Sequence, residues 1–341
     1  MDLAALNKVA TAMTTPGKGI LAADESGGTI KKRFDAIGVE STEENRRDYR
    51  ELLFRSEKAM HNRISGVILF DETIRQKAAD GTPLVKVIEA AGSIPGIKVD
   101  KGAKPLPFCP GETITEGLDG LRERLIEYRE LGAKFCKWRA VIDIGPGIPS
   151  SNSVRANADA LARYAALCQE QDLVPIVEPE VLMDGDHTID TCDEVTEYVL
   201  KTVFQELYIA RVKLEGMVLK PNMIVPGAKC EEQAPDQEIA ERTIRVLKNC
   251  VPSAVPGIAF LSGGQSDVEA TARLDAMNRV GGFPWHLTFS YGRALQHAPQ
   301  VAWGGKAGNV SAAQAAFSHR AEMNGLATLG KWTPEIEKKA A

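Results

Sequence analysis

A (β/α)₈ TIM barrel forming a single domain is the fold this sequence predicts, and two observations carry the expectation. Eight short apolar runs start roughly 30–45 residues apart, the length of a strand–loop–helix–loop unit, with amphipathic stretches between them. Most of the runs close on charged residues or glycines at the same end, where a barrel collects its active-site loops. The 341 residues suit one large barrel or two ordinary domains. No Pro- or Ser-rich spacer divides them, which favours the single barrel, with a two-domain doubly wound protein as the alternative. The barrel is expected over about residues 17–325 and a C-terminal tail over about 326–341.

Taken in order, residues 20–23 form the first run and end at Asp24, and residues 67–70 form the second. The third, 97–99, is followed by Asp100 and Lys101. The fourth, 135–142, carries Lys137 and Arg139, and the fifth, 174–177, is closed by Glu178 and Glu180. Lys220 ends the sixth, 217–219. The seventh, 258–261, leads into Ser262-Gly263-Gly264, and the eighth, 287–289, into Ser290-Tyr291-Gly292-Arg293. Helical periodicity covers 43–61, 117–131, 157–171, 190–211, 238–249, 267–278 and 312–323. Ser41 or Thr42 ahead of Glu43 and Glu44, and Ser266 ahead of Asp267, supply caps.

Because strand side chains alternate, Lys137 and Arg139 share one face, as do Glu178 and Glu180. One rim thus gathers three lysines, two arginines and three carboxylates. Lys220 stands out, since it ends the apolar Met217-Val218-Leu219 and precedes Pro221. Burial and neighbouring cations favour the neutral form of such an amine, and that form attacks a carbonyl to make a Schiff base. The loops after the seventh and eighth runs are where barrels often hold phosphate. Their glycines admit backbone N–H groups, their serines add hydroxyls, and Arg293 adds a bidentate cation. A second candidate follows the first run: Glu25-Ser26-Gly27-Gly28-Thr29, leading into Ile30-Lys31-Lys32-Arg33 as a helix N-terminus. It lacks the spacing of a Walker loop. Two phosphate sites flanking a Schiff-base lysine suit a ketose with a phosphate at each end.

Composition narrows the class. With 41 Lys+Arg against 46 Asp+Glu the net charge is −5, which gives no support to nucleic-acid or membrane-surface binding. No apolar run approaches the roughly 18–20 residues of a membrane span. The start has neither a signal-peptide core nor the Arg-rich character of a transit peptide, which argues for a cytoplasmic protein. The six cysteines form no C-x-x-C pair and read as reduced thiols. The five histidines make no i,i+4 pair and no H-E-x-x-H, so metal-free chemistry is expected.

The chain resembles the class I, Schiff-base-forming fructose-1,6-bisphosphate aldolases. Seven blocks carry the resemblance, in the family's order from about residue 17 to about residue 305. They are Gly-Ile-Leu-Ala-Ala-Asp-Glu-Ser at 19–26, Ile-Lys-Val-Asp-Lys-Gly at 97–102, Lys-Trp-Arg at 137–139 and Val-Pro-Ile-Val-Glu-Pro-Glu at 174–180. Leu-Glu-Gly-Met-Val-Leu-Lys-Pro-Asn at 214–222, Phe-Leu-Ser-Gly-Gly-Gln-Ser at 260–266 and Leu-Thr-Phe-Ser-Tyr-Gly-Arg at 287–293 complete the set. The resemblance implies that Lys220 attacks the C2 ketone, Glu178 serves carbinolamine dehydration and later hydrolysis, and Asp24 takes the C4 hydroxyl proton. It implies that Lys137 keeps the local field positive and protonates leaving water, while Arg139 and Glu180 orient the substrate. Ser262, Gly263, Gly264, Ser290, Gly292 and Arg293 would take the C1 phosphate. Ser26, Thr29, Lys32, Arg33 and Lys101 would take the C6 phosphate. The resemblance further implies a metal-independent homotetramer of glycolysis and gluconeogenesis, with no cofactor beyond the imine on Lys220.

Two departures stand out. Animal relatives end in a tail with a terminal Tyr tied to proton exchange at C3, whereas no Tyr follows Tyr291 here. Thr29 stands where many relatives have Ser, which keeps the hydroxyl. Sedoheptulose bisphosphate or fructose 1-phosphate are alternative substrates within the class. A barrel glycosidase using Glu178 and Glu180 leaves Lys220 and both phosphate loops unexplained, and puts both carboxylates on one strand. A non-catalytic scaffold leaves the intact reactive set unexplained.

Overall fold

Short apolar runs bounded by glycine, proline or charge pair side by side in the computed structural model, which describes residues 1–339. The barrel strands are β1 (Gly19–Ala23), β2 (Ile64–Leu69), β3 (Ile94–Lys98) and β4 (Phe135–Ile142). They continue with β5 (Val174–Val181), β6 (Val218–Leu219), β7 (Gly257–Phe260) and β8 (His286–Tyr291). Each pairs in parallel with its sequence neighbours, and β8 pairs with β1 to close the ring. This is the (β/α)₈ barrel that the spacing of the runs predicts. A two-stranded antiparallel hairpin, Ala103–Pro105 with Thr113–Thr115, projects after β3.

The bounds differ from the periodicity in instructive places. β3 begins at Ile94, although Pro95 and Gly96 read as a turn. Gly96 is there because a Cβ would lie 2.3 Å from the Phe135 ring, so only glycine lets that ring into the barrel. β5 runs on through Glu178-Pro179-Glu180 to Val181, because polar residues at a barrel rim face one another rather than ending the strand. The expected helix 43–61 is two, Glu43–Phe54 and Glu57–Arg63. Arg293–Trp303 is helical despite Pro299 within it.

Two separate apolar clusters form. The larger lies between strands and helices. The smaller fills the barrel's lower half with Ile20, Ala22, Ile68, Phe135, Val174, Ile176, Val218 and Ala259. The N-terminal helix Leu3–Met13 completes it by inserting Leu6, Ala10 and Met13, and Asp2 caps that helix by accepting from the Ala5 N–H at 3.0 Å. The floor is therefore apolar at its centre, and the charged layer lies toward the C-terminal rim.

Of the tail expected over 326–341, the helix Val310–Ala327 supplies the start, and Pro334–Lys339 forms a short helix. Glu337 fastens it by accepting from Trp332 Nε1 at 2.8 Å and pairing with Arg320. Residues 340 and 341 lie outside the described residues.

Gly96→Ala is expected to destabilise the fold by about 1–3 kcal/mol, the usual range for overpacking. Gly28→Ala, where a Cβ meets nothing within 4 Å, is the matched control. Denaturant midpoints of the two variants check this; equal midpoints would mean that Phe135 relaxes freely.

Candidate active site

The alternation that packs the floor also builds the charged layer above it. Reading each strand in steps of two gives Ile20-Ala22-Asp24, Ile94-Gly96-Lys98-Asp100 and Phe135-Lys137-Arg139. The same step gives Val174-Ile176-Glu178-Glu180 and Val218-Lys220. The β4–β5 register sets Arg139 opposite Glu178, and the β3–β4 register sets Lys98 opposite Lys137. Apolar side chains thus give way to charged ones at one level around the ring.

At that level Asp24, Lys137, Glu178 and Lys220 are all buried. Glu178 lies between the lysines, with Oε1 3.1 Å from Lys220 Nζ and Oε2 3.3 Å from Lys137 Nζ. Lys137 Nζ reaches Asp24 Oδ2 at 2.6 Å. Two cations and two carboxylates balance, which is what lets four ionisable groups sit out of water. Burial pushes the Asp24 carboxyl up, but Lys137 and Lys220 outweigh it and hold its pKa at about 2. Glu178 is likewise lowered: burial opposes, and Lys137, Lys220 and Arg139 prevail. Burial works against charge on Lys137, yet Asp24 and Glu178 raise its pKa and keep it an ammonium.

A second tier stands nearer the mouth. Arg139 pairs with Glu180, and its backbone N–H donates to Asp100 Oδ2 at 3.3 Å. Lys98 Nζ lies 3.3 Å from Asp100 Oδ1. The phosphate-loop candidates line the same cleft: Ser262 and Gly263 after β7, Ser290, Gly292 and Arg293 at β8, and Ser26, Thr29 and Arg33 after β1. Because β1 and β8 are neighbours, their loops meet, and Arg33 Nη2 stands 3.5 Å from where a Cβ on Gly292 would be. Among the described residues, Ser290 Oγ is buried without a hydrogen-bond partner. Ser26 opens the helix Gly27–Asp35 but makes no side-chain cap; its hydroxyl meets that of Thr29 at 3.2 Å. Among the described residues, no three His, Cys, Asp or Glu side chains group as a metal ion requires.

Three expected residues lie off the cleft. Lys101 is exposed beyond β3, where its backbone N–H bonds Glu116 O at 2.8 Å beside the hairpin. Lys98, of the inward parity, stands in the cleft instead. Lys32 is exposed on the outer side of its helix, while Arg33 turns inward. Gly264 faces Met183, where a Cβ would come within 2.2 Å, and its φ of +71° favours glycine. Conversely Lys98, Asp100 and Glu25 line the cleft without having been singled out. Continuing the two-residue step through 96, 98 and 100 would have found the first two. Glu25, which opens the loop after β1, sits behind Asp24, where it pairs with Arg33 and accepts from Gln296 Nε2 at 2.6 Å.

Comparison with known proteins bears on the same residues. A family model described as fructose-bisphosphate aldolase class-I matches residues 5–341. A probable fructose-bisphosphate aldolase class 1 of Xanthomonas campestris pv. campestris is 58% identical, over 97% of this chain and 99% of that one. The fructose-bisphosphate aldolase of Dictyostelium discoideum is 52% identical, over 96% and 92%. Among solved structures, the aldolase of Plasmodium falciparum, in a complex with TRAP and a small-molecule inhibitor, superposes with a TM-score of 0.95. It shares 49% identity and covers 97% of this chain and 96% of its own. With the model and the relatives each spanning nearly all of it, the chain belongs to the class-I fructose-bisphosphate aldolases.

Proposed function

We propose that this class-I aldolase forms its imine on Lys220 and divides the proton transfers between Glu178 and Asp24. The reaction is the reversible cleavage of fructose 1,6-bisphosphate between C3 and C4 into dihydroxyacetone phosphate and glyceraldehyde 3-phosphate. The observation that carries the assignment is the unbroken chain Lys220–Glu178–Lys137–Asp24, with contacts of 3.1, 3.3 and 2.6 Å.

Glu178 accepts a proton from Lys220, and the freed amine adds to C2. The resulting carbinolamine loses its hydroxyl as water, Glu178 returning the proton, and an iminium remains. Asp24 takes the O4 proton, the C3–C4 pair moves into the iminium, and the aldehyde leaves an enamine behind. C3 then takes a proton from water, Asp24 returns its own to solvent, and addition of water across the imine releases the ketone product and regenerates the amine. The iminium is the electron sink, consistent with a metal-independent class. Lys137 holds Asp24 ionised and so able to accept the O4 proton, and electron flow to the iminium nitrogen favours that transfer. Ser262, Gly263, Ser290, Gly292 and Arg293 would hold the C1 phosphate, and Ser26, Thr29 and Arg33 the C6 phosphate, joined by Lys98. Arg139 with Glu180 would orient the sugar hydroxyls.

We further read the chain as a single-domain, cytosolic homotetramer acting on sugar bisphosphates, without nucleic-acid or membrane partners. Six free cysteines support the compartment. No helix among the described residues is long and apolar enough to cross a membrane. Tyr208 and Ile209, 83% and 60% exposed at the end of the helix Ile189–Ile209, support a subunit contact.

Glu178→Gln tests the acid–base assignment. It is expected to lower kcat by about 10²–10⁴-fold, the usual worth of a general acid–base group. A chelator should leave wild-type cleavage unchanged. Cleavage lost to the chelator, with Glu178→Gln fully active, would contradict the reading.

A further inference from the structure

We infer that Asn222 is a positioning residue for Lys220, an inference that rests on reading Lys220 as the imine-forming lysine. β6 is only two residues long, and its ladder with β5 pairs Val177 with Leu219. The rung above is made normally: the Lys220 N–H donates to Val177 O at 2.8 Å. In a parallel ladder the next rung runs from the N–H of residue 179 to the carbonyl of residue 220. Residue 179 is proline, so that rung has no donor. After a rung from the residue 222 N–H to the Pro179 carbonyl, the ladder would continue with a rung from the Val181 N–H to the backbone carbonyl of residue 222. It is made instead to the Asn222 side chain, with Val181 N donating to Oδ1 at 3.1 Å.

A side-chain amide thus resumes the ladder at the level where the lysine meets its carboxylate. Asn222 is 1% exposed, and its Nδ2 is anchored by donating to Thr196 Oγ1 and Met223 O, both at 3.1 Å. Thr196 lies on the helix Ile189–Ile209, so the amide ties three elements together: the end of β5, the segment after β6 and the helix between them. On the other flank the Leu261 N–H donates to Pro221 O at 3.2 Å, a backbone contact that no side chain controls. The spacing between Lys220 Nζ and Glu178 Oε1 therefore depends, on the β5 side, on one rung below and one amide above.

Misplacement of reacting groups on the order of 1 Å costs about 10²-fold in rate. Asn222→Ala is therefore expected to slow borohydride-trapped adduct formation on Lys220 by about 10–100-fold, with kcat falling in proportion. Binding of the hexitol 1,6-bisphosphate, which keeps both phosphates and lacks the ketone, should stay within about twofold of wild type. Asn222→Asp, which retains an acceptor for the Val181 N–H, should recover most of the trapping rate. If Asn222→Ala does not fold, Thr196→Val is read in the same way against Thr196→Ser. Wild-type trapping in the variant, whatever its melting temperature, overturns the inference, as does a loss seen equally in hexitol bisphosphate binding. A wild-type adduct on another lysine overturns the assignment of Lys220 itself, which is a separate result.

Discussion

Lys220→Met is expected to lose at least about 10⁴-fold in kcat, because a residue acting as the nucleophile has no substitute within a positioned set. Methionine keeps the length and apolar stem of lysine, and although the four-group charge balance is lost, Glu178 keeps one of its two cation partners, Lys137 at 3.3 Å. The variant should therefore fold, and its circular dichroism should match wild type. Lys220→Arg separates charge from nucleophilicity: the guanidinium keeps the cation but stays protonated, so it cannot add to a ketone. Both variants should be equally inactive. An active Lys220→Arg would mean that the residue at 220 serves only as a charge.

Asp24→Asn should behave differently in kind. Cleavage is expected to slow by about 10²–10⁴-fold, while the imine still forms, because Asp24 acts after dehydration on this account. Its pKa of about 2 means that it stays ionised throughout the neutral range. The carboxylate is depressed, so its charged form is present above the ordinary carboxylate range and lost only as pH falls toward 2. The wild-type pH–rate profile should thus show no limb from Asp24 above about pH 3. Single-turnover trapping with fructose 1,6-bisphosphate should find the adduct in Asp24→Asn at near the wild-type rate. An adduct formed as slowly as the product would remove the division of labour between Asp24 and Glu178.

What could be read from the sequence follows from how a barrel encodes its site. Lys137, Arg139, Glu178, Glu180 and Lys220 sit on or just past apolar strands, where a charge is conspicuous and the two-residue step says which way it points. Asp24, Ser262, Ser290 and Arg293 close or follow such strands and are visible for the same reason. Lys98 was hidden because β3 opens with Ile94-Pro95-Gly96, which reads as a turn. With the start of the strand misplaced, the parity that selects Lys98 over Lys101 was not available. Glu25 and Gln296 meet only because β1 and the helix after β8 are neighbours in space, at a separation of 271 residues. The burial of the N-terminal helix against the barrel floor is a tertiary fact, made by Leu6, Ala10 and Met13 meeting the strand side chains there, and no local pattern announces it.

The most direct test of the account is the position of the covalent adduct. The wild-type enzyme is incubated with fructose 1,6-bisphosphate, reduced with borohydride, digested, and the modified peptide is located by mass spectrometry. The account predicts one reduced adduct, on Lys220, and loss of activity in step with its formation. An adduct on Lys137 or Lys98 instead, or cleavage that proceeds without any adduct and stops on addition of a chelator, would contradict it.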